Sequence, residues 1–440
     1  MVNDVLAVSS FTVPQGFLWG TAISEYQVSG AHHCPYSNWA LWERETHPNG
    51  KPRILNGAAS ENACDFKSLY HQYIPIMQEL RTNAFRFSIE WSNIEPQEGN
   101  FSEAELQHYE DLIDRLLVAG VTPMITLHHF TDPVWFCQKG GFEREENIFY
   151  FVRFCKKVFE RLSEKAQLWA TFNEPNIYMF QGYLRGVFPP GKMNPLKAIE
   201  VMANLLKAHE QTYFELKNME NGAQSQIGFV HQYLKFYPYS KLNPLERIPG
   251  FAYNYLLNEA VLNFFKTGSF IIKVPFLFSY EYHANQQEKM IDFIGLNYYS
   301  RVLIKAQMNF KKFLVPAAYP HEIMTDMPYA IYPEGIYQAI HELSTLDVPL
   351  YITENGISDA KDDRREHFID TYLMHVGKAL NSGYDIRGFF YWSLMDNFEW
   401  DEGYTQKFGL CHVDFETKKI MIRNSARRYS AIIRNSKKGL

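Results

Sequence analysis

Cysteine is scarce in this sequence. The 440 residues include five cysteines, an odd number, with no CxxC spacing among them: Cys34, Cys64, Cys137, Cys155 and Cys411. A disulfide framework usually shows an even number of cysteines, and a structural zinc site usually shows close cysteine pairs. We therefore expect neither, and a reducing compartment is the simplest setting for the chain.

An excess of basic charge is also missing. The formal net charge is −6 at pH 7, so electrostatics give no reason to expect nucleic acid or an anionic membrane as a partner. The first residues, MVNDVLAVSSF, lack the basic start and the sustained apolar core of a secretory signal. No apolar run approaches membrane-spanning length. We expect a soluble, cytoplasmic protein.

Low-complexity linkers and shifts in composition are absent as well, so we expect residues 1–440 to form one domain. The one basic stretch, at residues 423–438, is interleaved with apolar Tyr429, Ala431, Ile432 and Ile433. That spacing is typical of an amphipathic last helix whose basic face is solvated, rather than of a binding patch.

Two segments place a glutamate at the end of a short apolar run. In residues 349–358 (PLYITENGIS), Glu354 follows a β-favouring run and precedes the turn signal Asn355-Gly356; in residues 168–175 (LWATFNEP), Glu174 stands in the same position. If both strands belong to one parallel barrel, both carboxylates open onto its C-terminal face, where barrel enzymes build their active sites. Two such carboxylates suit cleavage of a glycosidic bond.

Eight short apolar segments predict eight strands. They lie at residues 17–22, 83–89, 121–127, 168–172, 227–230, 291–296, 350–353 and 386–392. Helical spacing separates most of them, at residues 102–119, 148–162, from Asn194-Pro195 onward, 334–343 and 364–380. Ser102 and Glu105 fit a capping box. The alternation predicts a single-domain (β/α)8 barrel of the α/β class, with one long aromatic-rich connection between strands five and six left unassigned.

The predicted strand ends and the loops after them collect a polar and aromatic set: Gln27, Arg86, His129, Asn173, Glu174, Tyr299, Glu354, Trp392 and Glu399. Each has a structural alternative. Arg86 fits a structural ion pair equally well, a lone His129 is more often a core histidine, and Trp392 would normally be core. A metal-dependent hydrolase is disfavoured, because adjacent His128 and His129 point to opposite faces of a strand and no acid cluster completes a site.

Seven motifs in order resemble glycoside hydrolase family 1, the retaining β-glucosidase-like enzymes. They are FLWGTA with YQ near the start, RFSIEWSNIEPQEG (86–99), LHHF (127–130), TFNEP (171–175), GLNYYS (295–300), YITENG (351–356) and WSLMDNFEWDEGY (392–404). The resemblance covers nearly the whole chain. It implies hydrolysis of terminal β-D-glucosyl residues of small glycosides or short oligosaccharides by double displacement, with galactosyl and fucosyl substrates left open, and without cofactor or metal.

The resemblance also implies roles. Glu354 matches the nucleophile and Glu174 the general acid/base, whose pKa the neighbouring Glu354 should raise. Arg86 and Tyr299 match the groups that flank the nucleophile and favour its ionised form. The residues that match the glycone site are Gln27, His129, Asn173, Trp392, Glu399 and Trp400.

The sequence departs from the common family pattern at Phe130 and Thr131, where many members have Trp and Asp, and at Ser29, where Glu is usual. Residues 301–326 form a short segment, which predicts an open aglycone side. The alternatives are a non-catalytic sugar-binding relative, although both glutamates are present, and a 6-phospho-β-glucosidase. The latter pattern predicts serine in place of Glu399 and a nearby phosphate-binding lysine, whereas Lys407 comes one place too late.

Overall fold

The computed structural model describes residues 12–274, 278–286, 289–307 and 314–436. Its strands are β1 (Leu18–Ala22), β2 (Ala84–Ser88), β3 (Thr122–His128), β4 (Leu168–Asn173), β5 (Gln226–Gln232), β6 (Lys235–Pro238), β7 (Ser269–Val274), β8 (Phe278–His283), β9 (Phe293–Asn297), β10 (Arg301–Ala306), β11 (Leu314–Ala317), β12 (Leu350–Asn355), β13 (Ile386–Trp392), β14 (Cys411–Val413) and β15 (Ile420–Ile422).

The α-helices are α1 (Glu25–His33), α2 (Asn38–Trp42), α3 (Phe66–Glu79), α4 (Trp91–Ile94), α5 (Glu103–Val118), α6 (Val134–Gln138), α7 (Ile148–Leu162), α8 (Pro175–Met179), α9 (Pro195–Lys217), α10 (Pro244–Asn254), α11 (Ala260–Thr267), α12 (Glu334–Ser344), α13 (Arg365–Asn381) and α14 (Asn424–Ser436). Within the described residues, no helix combines the length and the apolar character needed to cross a membrane.

Eight of the strands close a parallel barrel in the order β1, β13, β12, β9, β5, β4, β3, β2. Every residue of β2, β4, β9 and β12 is buried, as expected for parallel strands covered by helices on the outside and side chains within. The eight predicted strands and the (β/α)8 fold are confirmed. The main difference in bounds lies at the strand ends, since β12 continues through Glu354 to Asn355.

The predicted helix starts are mostly confirmed. Asn194 caps α9, accepting from the Lys197 N–H at 3.1 Å, with Pro195 in the first turn. Only one of the two hydrogen bonds of the predicted capping box before α5 is present. Ser102 Oγ accepts from the Glu105 N–H at 3.3 Å, but the Glu105 carboxylate binds Lys67 Nζ at 2.6 Å. A charged partner from α3 is a stronger competitor for a carboxylate than a backbone N–H.

The long connection between β5 and β9 folds as β6, α10, α11 and the β7–β8 hairpin. Beyond the barrel rim, β6 pairs with β10 in parallel, and β10 pairs with β11. The segments that leave the barrel after β5 and after β9 are thereby tied together on the C-terminal side.

The last helix closes the seam between the first and last barrel strands. Tyr429 of α14 is fully buried, and its hydroxyl donates to Gly20 O of β1 at 3.0 Å. The predicted amphipathic character is confirmed, with Ile432 and Ile433 buried and Arg427 exposed. One basic residue departs from the predicted solvated face, because Arg423 forms a buried ion pair with Asp396 at 2.8 Å. Residues 437–440 lie outside the described part.

All five cysteines are free, and Cys137 alone is exposed.

Candidate active site

Glu354 lies one residue before the end of β12, and two side chains donate to its carboxylate. Arg86 of β2 donates from Nη1 to Oε1 at 2.6 Å, and the Tyr299 hydroxyl, just after β9, donates to Oε2 at 2.6 Å. Arg86 is fully buried, and Glu354 is 3% exposed. A guanidinium and a phenol that donate to a carboxyl group favour its ionised form, so this arrangement stabilises a carboxylate in a buried place.

Glu174 follows the last residue of β4 at the turn into α8. Its backbone is left-handed, with φ 45° and ψ 54°, and Pro175 takes the first helical position. A positive φ is uncommon for a residue other than glycine, and here it marks the abrupt change from strand to helix. Asn297 of β9 donates from Nδ2 to Glu174 Oε1 at 2.6 Å. Among the described residues, this carboxyl group has a neutral donor and no cation within ion-pair distance.

The two carboxyl groups therefore ionise differently. Burial raises the pKa of both. Arg86 and Tyr299 oppose the rise at Glu354, whereas the charge of Glu354 adds to the rise at Glu174, whose pKa lies well above its usual range. The sequence analysis attributed the raised pKa of Glu174 to Glu354. Burial is the larger cause, and Glu354 is the second. Glu174 keeps its proton to higher pH than Glu354 does.

Asn173, the last residue of β4, links the carboxyl pair to His129. Its Oδ1 accepts from Arg86 Nη2 at 2.6 Å and from Asn297 Nδ2 at 3.0 Å, and its Nδ2 lies 3.1 Å from His129 Nε2. Asn173 must donate there, so His129 carries its proton on Nδ1. Burial and then Arg86 hold the pKa of His129 well below its usual value. His129 Nδ1 is buried and has no hydrogen-bond partner within the described residues, so this neutral imidazole keeps one unsatisfied donor.

Gln27, in α1, and Glu399, in the loop after β13, form a polar corner. Gln27 Nε2 lies 3.2 Å from Glu399 Oε2 and 3.0 Å from Phe398 O. Burial and then the charge of Glu354 raise the pKa of Glu399 to about 8. Glu399 therefore keeps its proton to higher pH than an ordinary glutamate does.

Aromatic rings form one wall of the site. Trp392 is the last residue of β13, and its ring centroid lies 5.8 Å from that of His129 at an interplanar angle of 26°. The Trp400 ring lies 6.1 Å from the same imidazole, and Tyr26 stacks against Trp400 at 6.2 Å. Such a wall offers flat apolar surface beside polar groups, which suits the mixed faces of a sugar ring.

These side chains surround a cavity of about 180 Å³ at the C-terminal end of the barrel. The sequence-predicted residues that line it are His129, Asn173, Glu174, Tyr299, Glu354, Trp392, Glu399 and Trp400. Gln27 and Arg86 are fully buried behind this surface and reach it through Glu399 and Glu354. The structure therefore brings all ten predicted residues into one connected cluster.

Part of the remaining cavity lining is apolar. It includes Ile177, Phe188, Leu234, Val302 and Met327. Leu234 precedes β6, and Val302 belongs to β10, so the two tied connections form part of this wall. The predicted openness of the aglycone side stays a prediction, because residues 308–313 of the short segment lie outside the described part.

The three departures from the family pattern have local partners. Phe130 has φ 69° and lines the cavity. Thr131 donates from Oγ1 to Glu90 Oε2 at 2.9 Å, and Ser29 donates from Oγ to Glu25 Oε1 at 2.7 Å. Thr131 and Ser29 therefore bind buried carboxyl groups behind the site, and Phe130 alone changes the surface of the cavity.

Asn297 is the site residue that the sequence reasoning missed. It donates both to Glu174 and to Asn173, and it is fully buried. The signal was present in GLNYYS, because Asn297 stands two residues before Tyr299 and alternate residues of an extended chain share a face.

The sequence matches a known protein family along nearly its whole length. The family model described as "Glycosyl hydrolase family 1" matches residues 9–438. The chain belongs to glycosyl hydrolase family 1. Beta-glucosidase A of Thermotoga maritima is 32% identical to this family 1 chain over 96% of the chain and 98% of the relative.

Solved structures of two related enzymes have a similar fold. A beta-glycosidase from Pyrococcus horikoshii is 38% identical, with a TM-score of 0.85 over 97% of this chain and 96% of that one. The Thermotoga maritima beta-glucosidase in complex with glucoimidazole is 29% identical, with a TM-score of 0.84 over 97% and 99% of the two chains. The family 1 chain is thus a glycosyl hydrolase with the barrel of these enzymes.

One relative carries a different activity in its name. A 6-phospho-beta-galactosidase from Clostridium acetobutylicum is 28% identical over 94% of the chain and 95% of the relative. A phosphate-binding variant of the site would need a cation near Glu399. Lys407 does not supply it, because its Nζ lies 4.5 Å from the centroid of the Phe415 ring and the residue does not line the cavity.

Proposed function

We propose that this family 1 glycosidase is a β-glucosidase that retains the anomeric configuration of its substrate. The observation that carries the proposal is the contrast between the two carboxyl groups. Glu354 has a cation and a phenol as donors, and Glu174 has a single amide. A charged carboxylate beside a protonated carboxyl group is the pair that enzymatic hydrolysis of glycosides requires. Retention is supported by the resemblance of the motifs to the retaining enzymes of family 1.

In the first step, a Glu354 carboxylate oxygen attacks the anomeric carbon of the bound glycoside. The glycosidic C–O bond breaks, and Glu174 gives its proton to the leaving oxygen, so a glycosyl ester forms on Glu354 and the aglycone departs as an alcohol. Arg86 and Tyr299 stabilise the carboxylate before attack and again when it is released.

In the second step, Glu174 is a carboxylate and takes a proton from water. That water attacks the anomeric carbon, the ester bond to Glu354 breaks, and Glu174 is protonated again. The raised pKa of Glu174 suits both duties, since the group must donate and recover a proton near neutral pH.

The remaining residues bind the terminal sugar. His129, Asn173 and the Gln27–Glu399 corner supply hydrogen-bond partners, and Trp392 and Trp400 supply apolar surface. The ligands are small β-glycosides or short oligosaccharides, with galactosyl and fucosyl substrates as alternatives to glucosyl. The reaction uses no cofactor or metal. We further infer that the whole chain acts as one catalytic domain in the cytoplasm.

A 6-phospho-β-glycosidase is the second candidate, supported by the phosphoglycosidase relative. Asp401 and Glu402 line the cavity beside Glu399, and Lys407 packs elsewhere, so the corner disfavours a phosphate. A purely sugar-binding protein is disfavoured because both carboxyl groups are present with distinct environments.

The test is a panel of aryl β-glucosides, β-galactosides and β-fucosides, with and without a 6-phosphate, together with proton NMR of the first product. We expect the unphosphorylated β-glucoside to be cleaved fastest and β-glucose to appear before the α-anomer. Initial formation of the α-anomer would overturn the assignment of Glu354, and a preference for the phosphorylated sugar would move the function to the second candidate.

A further inference from the structure

Thr353, the residue before Glu354 in β12, is fully buried and does not line the cavity. Its hydroxyl donates to Asn297 Oδ1 at 2.7 Å. The Asn297 amide in turn donates to Glu174, so Asn297 links Thr353 to the proposed general acid/base.

The orientation of the Asn297 amide follows from its neighbours. Asn173 Oδ1, 3.0 Å away, already accepts from Arg86 and can only accept from Asn297 as well. The Asn297 NH2 group must therefore face Asn173 and Glu174. Its carbonyl oxygen then points to Thr353, which can supply the one donor this oxygen needs.

We propose that Thr353 is a positioning residue that holds the Asn297 amide with its NH2 group toward Glu174, and thereby sets the balance between the proton-giving and proton-taking forms of Glu174 in the reaction proposed above. The Thr353 hydroxyl acts through Asn297. The backbone oxygen of Thr353 separately accepts from Arg86 Nη1 at 3.4 Å, a contact that a change of the side chain leaves in place.

The fixed amide stabilises the carboxylate form of Glu174 more than the protonated form, because its N–H group donates to Glu174 Oε1. An N–H donor favours the carboxylate and so opposes part of the pKa rise caused by burial. Without the Thr353 hydroxyl, the Asn297 oxygen loses its donor and only Asn173 fixes the amide, so the N–H contact that stabilises the Glu174 carboxylate weakens. Loss of the Thr353 hydroxyl should therefore raise the pKa of Glu174.

Other groups also act on Glu174, and the Thr353 side chain forms no hydrogen bond to any of them; Asn297 itself also lowers the pKa of Glu354 through a side-chain hydrogen bond. The charges that face it are Glu354 of β12, Arg86 of β2 and Glu399 after β13. Tyr299 after β9 and neutral His129 after β3 complete the surroundings. A shift confined to variants of Thr353 and Asn297 is thus specific to the proposed contact.

The experiment compares Thr353→Val, which keeps the shape but removes the donor, with Thr353→Ser, which keeps the donor. The alkaline limb of kcat/KM is measured with phenyl β-glucoside, a substrate with a poor leaving group. We expect the limb to move up by about half to one pH unit in Thr353→Val, with kcat/KM at neutral pH lower by about tenfold. Thr353→Ser should retain the wild-type limb.

A second readout does not depend on turnover. With 13C-carboxyl glutamate in the whole protein, the Glu174 resonance is identified by its absence in Glu174→Gln, and its titration is followed by NMR. Asn297→Ala should shift that titration at least as far as Thr353→Val, and the double variant should shift it no further than Asn297→Ala.

An unchanged titration in a folded Thr353→Val would overturn the proposal. An equal shift in Thr353→Ser would do the same, since it would assign the effect to the lost methyl group. Failure of the proposed function looks different: the wild-type protein would not hydrolyse any β-glycoside, while the NMR titration would still report on Thr353.

Discussion

Arg86 and Glu354 form an ion pair of 2.6 Å in which both side chains are almost completely removed from water. A buried pair loses much more when one partner is removed than it gains by being present, because the remaining charge is left uncompensated. Glu354 consequently depends on Arg86 for its charge, although the two residues are far apart in sequence.

Replacement of Arg86 by Met should lower kcat/KM on 4-nitrophenyl β-glucoside by about 10³-fold or more, since several kcal/mol of carboxylate stabilisation are lost. Tyr299→Phe is the matched control, because it removes one hydrogen bond to the same carboxylate and leaves the cation. Its loss should be about 10- to 100-fold. Thermal melts establish that both variants fold, and a loss below tenfold in a folded Arg86→Met would contradict the assigned dependence.

Glu354→Gln should abolish turnover of every substrate, because an amide does not form the glycosyl ester. Glu174→Gln should spare the first step for dinitrophenyl β-glucoside, whose leaving group departs without a proton. The two variants are compared on dinitrophenyl and phenyl glucosides. Equal losses on both substrates in Glu174→Gln would argue against its role as the acid.

The pH profile of kcat/KM should be a bell. The pKa of Glu174 lies above its usual range through burial and then Glu354, so activity should extend through neutral pH and fall when Glu174 loses its proton. The alkaline limb should be pronounced with phenyl β-glucoside and weak with dinitrophenyl β-glucoside. An identical limb with both substrates would point instead to Glu399, whose pKa is about 8.

A 6-phosphate on the sugar should lower the rate by about 10³-fold, because its charge would lie near Asp401 and Glu402 in a partly desolvated corner. Glu399 itself adds little repulsion while it is protonated. Glu399→Ser should impair cleavage of β-glucosides without creating phosphoglucosidase activity, since Lys407 packs on Phe415. Efficient cleavage of the 6-phospho substrate by that variant would show that Lys407 can reach the site.

Glu25 provides a prediction about stability. Burial raises its pKa to about 7, despite the Ser29 hydrogen bond and the nearby Lys67. An acid whose pKa is raised by folding is penalised when it ionises, so its effect on stability is absent below about pH 4.5 and fully unfavourable above about pH 7.

Glu25→Gln should therefore raise the free energy of unfolding at pH 8, by on the order of 3 kcal/mol at most, and leave it unchanged near pH 4. Glutamine keeps an acceptor for Ser29. Denaturant unfolding at both pH values measures the difference, and an equal effect at the two values would mean that ionisation of Glu25 is not the cause.

Much of this architecture was readable from local patterns. The barrel strands are short buried runs between amphipathic helices, and the residues at their carboxyl ends, such as Glu354 and Trp392, converge because parallel strands share one rim. The bounds of individual strands were less certain, since the polar residues that end them, Asn173 and Asn355, still pair within the sheet.

What the sequence could not predict depends on partners from distant segments. Lys67 binds the Glu105 carboxylate, which local spacing had predicted to take part in a capping box. The protonation of Glu399 and the size of the burial effect on Glu174 depend on the depth of the cavity, which no motif records. Asn297 was missed for a similar reason, because its importance lies in contacts with Asn173 and Glu174 at the end of β4, and β5 separates β4 from the strand of Asn297.

The pairing of β1 with β13, with the Tyr429 hydroxyl bound to Gly20, has a consequence for biosynthesis. During translation, residues 18–22 leave the ribosome long before residues 386–392 exist, so β1 has β2 as its only strand neighbour for most of that time. Ring closure is a contact between segments almost at opposite ends of the sequence, which makes it entropically slow. The growing chain must keep an open sheet edge out of contact with other chains, and protection by a chaperone would be most valuable in that interval.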